Sequence, residues 1–117
     1  MAQEASVSKM IQEEYGRFRC EMLKLSNEEL FEQCSRVRFY SCLNEYFMYN
    51  ENIPQRILDL AGSGAFSICG AWLFYLKHEA YGCETWEAIS EMILAMYKKR
   101  GWRVRTYGIK RINNAVC

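Results

Sequence analysis

Seven apolar residues open the chain at spacings of three and four: Val7, Met10, Ile11, Tyr15, Phe18, Met22 and Leu25. Side chains three and four apart share one face of an α-helix, so the pattern predicts an amphipathic helix from about residue 4 to 25. Such a face has to be buried against other elements, which commits the chain to helix-on-helix packing from its first segment. Glu13, Glu14, Arg17 and Glu21 fall on the opposite face, where solvation accounts for them.

The same reading carries along the chain. Ser26-Asn27-Glu28-Glu29 has the Ser-x-x-Glu form of a capping box, in which each side chain reaches back to an orphan amide. A second helix is expected to start there and run to about Tyr49, with Leu30, Phe31, Cys34 and Val37 as the inner stripe of its first half. Its second half is apolar nearly all round (Phe39, Tyr40, Cys42, Leu43, Tyr46, Phe47, Met48, Tyr49), which fits either a central buried helix or a sticky face for a partner. Whether Tyr46, Phe47 and Tyr49 are core or interface stays open at this point. Asn50 to Pro54 breaks the chain, and Pro54 suits the first turn of a short helix from Pro54 to Leu60. A third long helix is expected from Ala65 to Tyr81, closed by Gly82 as its C′ residue. Glu84-Thr85 opens the last, with Trp86, Ile89, Ile93 and Met96 on one face and Lys98, Lys99 and Arg100 suiting its C-terminal dipole.

After Gly101 the period changes to two. Trp102, Val104 and Thr106 alternate with Arg103, Arg105 and Tyr107, which predicts a short strand or extended arm. The expected fold is therefore all-α: a single compact helical bundle of four main helices plus a short one over residues 1–101. A basic, extended or β-like segment over 102–117 belongs to the same domain. A chain of 117 residues is the size of one domain, long enough to bury about two-thirds of its unfolded surface.

Several function classes lack their chemistry. Leu60 to Leu76 carries no charge, but Gly62-Ser63-Gly64 interrupts it and it falls short of the roughly 20 residues of a spanning helix, so no membrane is expected. Those glycines do not complete a GxGxxG fingerprint, because Ser67 stands at the sixth position, and no Gly-Lys-Ser/Thr follows. They read as a turn between helices. The single histidine, His78, has no neighbouring ligands to make a zinc site and reads as a partly exposed helix residue. No catalytic residue, metal ligand or cofactor site is expected, although a small enzyme or nuclease built on His78 and the glutamates is a third possibility. The six cysteines form no CxxC pair, and the N-terminus has no secretory pattern. The expectation is six structural thiols in a reducing bacterial cytoplasm.

Charge distribution is more informative than net charge. Residues 1–91 hold 8 basic and 14 acidic side chains, a net of −6, whereas residues 92–117 hold seven basic side chains and no acidic one, a net of +7. Candidate binding residues are thus Lys98, Lys99, Arg100, Trp102, Arg103, Arg105, Tyr107, Lys110 and Arg111. Basic residues interleaved with aromatics can hold phosphates and stack bases of RNA or DNA. They can equally fold back on the acidic body or grip an acidic protein.

Four stretches taken together carry a resemblance: Met10-Ile-Gln-Glu-Glu-Tyr15-Gly-Arg-Phe18, Glu21-Met-Leu-Lys-Leu-Ser26-Asn-Glu-Glu-Leu30, Phe39-Tyr-Ser-Cys-Leu43 and Thr85-Trp86-Glu-Ala-Ile89. Over roughly residues 9–92 the chain resembles short helical proteins from Firmicute phages and integrative elements, a group that includes anti-CRISPR inhibitors of type II Cas9. The resemblance implies a non-enzymatic inhibitor that binds Cas9 or its guide-RNA complex and blocks guide loading, DNA access or nuclease motion. Cas9 grips nucleic acid in basic channels, so an acidic body would bind there by charge mimicry. The alternative is a small nucleic-acid-binding regulator that uses the C-terminal segment, and a homodimer is compatible with either.

Overall fold

The computed structural model describes residues 2–78 and 80–98, and the segment over 102–117 lies outside the described residues. The first amphipathic run forms α1, Ala2–Leu23, whose Val7, Ile11 and Phe18 are buried as their spacing predicts. The chain turns at residues 24–26. Ser26 then caps α2, Asn27–Glu32: its hydroxyl accepts from the Glu29 amide at 3.1 Å, and the Glu29 carboxylate accepts from the Ser26 amide at 2.9 Å. The Ser26 amide, with a smaller contribution from the Ser26 hydroxyl, holds the Glu29 carboxyl below its ordinary range.

The single helix expected from Ser26 to Tyr49 is two. Gln33, at φ −96° and ψ 10°, ends α2 and begins α3, Cys34–Tyr49. Only one residue separates them, so hydrophobic periodicity passes through the break with no sign of it. From there α3 runs through the middle of the molecule and packs against α1, α5 and α6. Phe39, Tyr40, Leu43, Tyr46 and Phe47 are buried, which places Tyr46 and Phe47 in the core, while Tyr49 lies exposed at the helix end.

Pro54 caps α4, Gln55–Gly62, and Gly64 at φ +84° turns the chain toward α5, Ile68–Lys77. A left-handed residue there is cheap only for glycine. The predicted boundaries of α5 shrink at both ends. Ser67 accepts from the Gly70 amide at 2.9 Å and starts the helix, and His78 ends it, so Gly82 belongs to the following connection and is not the helix's C′ residue. Thr85 accepts from the Ala88 amide at 3.0 Å and opens α6, Trp86–Lys98. Five of the six described helices contribute to one core, α2 lying on its outside, and no strand occurs among the described residues.

Aromatic contacts tie the layers together. Phe18 of α1 stacks on Tyr40 of α3 with ring centroids 3.8 Å apart, and the Arg36 guanidinium lies 5.2 Å and 5.3 Å from the two rings. Tyr46 meets Ser90 of α6 through a 2.6 Å hydroxyl contact. The Tyr97 hydroxyl donates to the Ala65 carbonyl at 2.9 Å, fastening the end of α6 to the turn before α5. Each fully buried large side chain in this set contributes about 1.5–3 kcal/mol of apolar transfer. None of the described helices is long and apolar enough to cross a membrane.

Candidate functional site

The stripe assigned to the inside of the second helix does not lie inside. Phe31 is 78% exposed, Cys34 is exposed, and Leu30 and Val37 are half-buried. The physical reason is the reorientation at Gln33: α2 has only six residues, packs mainly on α3, and contributes no buried residue. Its apolar side is left facing an open groove of ≈ 600 Å³ between α2 and α3. Leu30, Phe31, Cys34, Val37 and Cys42 form the apolar lining; Asn27, Arg38, Ser41 and Glu45 form the rest. A smaller cleft of ≈ 170 Å³ shares Leu30 and Val37 and adds Met22 and Leu23, of which Leu23 is 69% exposed. The apolar surface is therefore continuous from the end of α1, across α2, to the start of α3.

The charges around it are acidic on α2 and mixed on α1, where Arg19 lines the smaller cleft and Lys24 pairs with Glu21 at 3.4 Å. Glu28, Glu29 and Glu32 are exposed on α2, Glu21 on α1 and Glu45 on α3. Arg38, the cation lining the groove, donates to the Glu84 carboxylate at 3.1 Å, and this bond raises the guanidinium above its ordinary value. Burial pushes the Cys83 thiol up to about 11, with the neighbouring Cys42 adding to the effect.

Of the binding residues named from the sequence, Lys98 is described: it ends α6 and is exposed. Lys99, Arg100, Trp102, Arg103, Arg105, Tyr107, Lys110 and Arg111 lie outside the described residues. His78 is half-buried at the end of α5, with its ring 4.2 Å from that of Phe74. No group of three or more His, Cys, Asp or Glu side chains suited to a metal ion occurs among the described residues.

One expectation about the cysteines needs correction. Cys20, Cys34, Cys42 and Cys83 are free, but Cys69 is disulfide-bonded. Sequence spacing excludes only local pairs; it carries no information on cysteines that folding brings together. The groove itself is visible in the sequence as the stripe Leu30-Phe31-Cys34-Val37, but periodicity assigns it to the wrong side of the helix.

No family model, curated protein or solved structure matches the chain.

Proposed function

We propose that this protein is a non-enzymatic binding protein that docks its acid-rimmed apolar groove onto a basic, nucleic-acid-gripping surface of another protein. The observation that carries the reading is Phe31, 78% exposed beside a continuous apolar lining. A large aromatic held on a short helix in front of a groove is the kind of anchor that dominates protein interfaces. The charge of the rim selects the partner: the charged side chains of α2 are Glu28, Glu29 and Glu32, all exposed, and the cation lining the groove, Arg38, is engaged by Glu84. A partner segment with apolar and cationic side chains satisfies both features.

Within that reading, the target we propose is type II Cas9, in the role of a mobile-element inhibitor. The support is the sequence resemblance together with the match between an acidic body and the basic channel that holds the guide heteroduplex. The test is complex formation between the purified full-length protein and Cas9, with and without guide RNA, followed by size-exclusion chromatography. A stoichiometric complex weakened by Phe31→Asp supports the reading. Absence of a complex with both forms removes Cas9 as the target, and a complex indifferent to Phe31→Asp and Leu30→Asp removes the groove.

A second reading has a specific observation behind it: seven basic residues and no acidic one after residue 91. It makes the protein a nucleic-acid-binding regulator, and salt-steep binding to bare DNA or RNA is its signature.

A further inference from the structure

Beyond Lys98, exposed at the end of α6, 19 residues of the chain follow, 99–117. They hold six basic side chains and no acidic one, a net of +6, whereas residues 1–98 hold 9 basic and 14 acidic side chains, a net of −5. Within them, Ile109-Lys110-Arg111-Ile112 combines two adjacent cations with two large apolar side chains. The α2–α3 groove asks both features of an occupant. Its apolar lining comes from Leu30, Phe31, Cys34 and Val37, and exposed carboxylates stand at Glu28 and Glu32 on α2 and at Glu45 in the lining.

The groove is also within reach. Arg38 lines it and is ion-paired at 3.1 Å with Glu84, which stands two residues before α6. From Glu84 to Lys98 the chain covers about 27 Å at most: roughly 20 Å of helix, and about 7 Å for the two residues before it. Ile109 stands 11 residues past Lys98 (109 − 98) and reaches about 36 Å when extended. Trp102, four residues past it, reaches only about 13 Å and falls short. A second copy is a poorer occupant, because its α2 carboxylates would face those of the first across the contact. A segment of the same chain also acts at an effective concentration on the order of millimolar, without association from solution.

We propose, on the reading of this groove as a docking face, that Ile109-Lys110-Arg111-Ile112 occupies the groove of its own chain when no partner is present. The isoleucines lie on the apolar lining beside Phe31, and the cations meet the carboxylates of α2. The docking face thereby acquires its regulation. A partner has to displace the segment, so its apparent affinity falls in proportion to the fraction of chains whose groove is open.

The test needs no partner. An equal mixture of isotope-labelled and unlabelled full-length chains is treated with a carbodiimide, which joins amines to touching carboxylates, then digested with trypsin and read by mass spectrometry. Lys24 and Glu21, 3.4 Å apart, serve as the internal control. The expected product is an amide link from Lys110 to Glu28, Glu29 or Glu32, joining peptides 25–36 and 106–111 within single chains. Replacing Ile109 and Ile112 together by serine should reduce this link several-fold and leave the control unchanged. Phe31→Ala should do the same, and at 78% exposure its loss leaves the fold intact. Links from Lys110 spread over distant carboxylates such as Glu4, Asp59 and Glu91 overturn the proposal. Links between labelled and unlabelled chains also overturn it and make the occupant a second copy. Links to α2 that persist in both variants overturn it too, because charge alone then brings the segment there. So does their absence while the control forms. Complex formation with Cas9 is read separately. A Phe31-dependent complex without Lys110 links removes the intramolecular segment alone, and Lys110 links without any complex remove only the docking to Cas9.

Discussion

Glu14, in the middle of α1, caps Ile68 at the start of α5: its Oε1 accepts from the Ile68 amide at 2.8 Å, and its Oε2 accepts from the Cys69 amide at 3.0 Å. Together with Ser67, which accepts from the Gly70 amide, the carboxylate satisfies orphan donors of the first turn of α5. A negative charge at that helix end also suits the dipole. Helix α5 contributes Ile68, Cys69, Ala71, Trp72 and Phe74 to the core, so Glu14 fixes the placement of a buried element from a position half open to solvent.

Removing that cap has a measurable cost. Glu14→Ala is expected to destabilise the fold by about 1–2 kcal/mol, the range for removing a capping side chain together with hydrogen bonds from one carboxylate. Glu14→Gln keeps one acceptor oxygen and should fall between the two. Urea unfolding of the three proteins decides it, and an alanine variant as stable as the wild type would mean that Ser67 alone is sufficient.

How far the fold was legible follows from such cases. Val7, Ile11 and Phe18 declared α1 because one buried face leaves a local spacing, and Ser26 with Glu29 declared α2 because a capping box is local chemistry. Glu14 gave no such sign, since on α1 it is one more acid on the solvent side and its partners lie 54 and 55 residues away. Phe31 misled for a related reason. Periodicity marks which residues share a face, but which neighbour covers that face depends on the change of direction at Gln33, and no residue pattern announces it.

Phe31 and Phe39 offer a direct contrast between surface and core. Phe39 is 1% exposed and touches Trp72 and Tyr75, so Phe39→Ala should cost about 3–5 kcal/mol. Phe31→Ala, at 78% exposure, should change stability by no more than about 0.5 kcal/mol while weakening partner binding. Thermal melts alongside a binding titration test both halves. A Phe31 variant that melts like the Phe39 variant would show that α2 is covered in solution.

Alkaline pH should weaken the fold. The Cys83 thiol is raised from its ordinary 9.0 to about 11, first by burial. Between those values the unfolded chain has released the proton and the folded chain retains it, so stability present below about pH 9 is lost as pH rises toward 11. The loss from this group is roughly 2–3 kcal/mol. Buried Tyr40, Tyr46 and Tyr97, whose hydroxyls are also pushed up by burial, add a loss of the same sign at higher pH. Denaturant midpoints across that window should fall less steeply in Cys83→Ala than in the wild type. Equal slopes would show that the thiol is not protected in the folded protein.

Charge reversal in the C-terminal segment separates the two functional readings. Replacing Arg103, Arg105, Lys110 and Arg111 by glutamate removes four positive charges and adds four negative ones. If that segment grips phosphates, every phosphate interaction removed should reduce the salt slope of nucleic-acid binding by about one unit. Bare DNA or RNA would then prefer the wild type by a wide margin at low salt. The docking reading predicts a different pair of results: weak binding of the wild type to bare nucleic acid at physiological salt, and a protein complex that depends on Phe31 and Leu30. The acidic rim adds a sign to this second result. A complex steered by Glu28, Glu29 and Glu32 should form more slowly as salt rises, because screening removes the attraction between separated charges. Its dissociation, governed by the apolar contact, should change much less. Tight, salt-steep binding to bare nucleic acid with an inert groove would overturn docking in favour of nucleic-acid regulation.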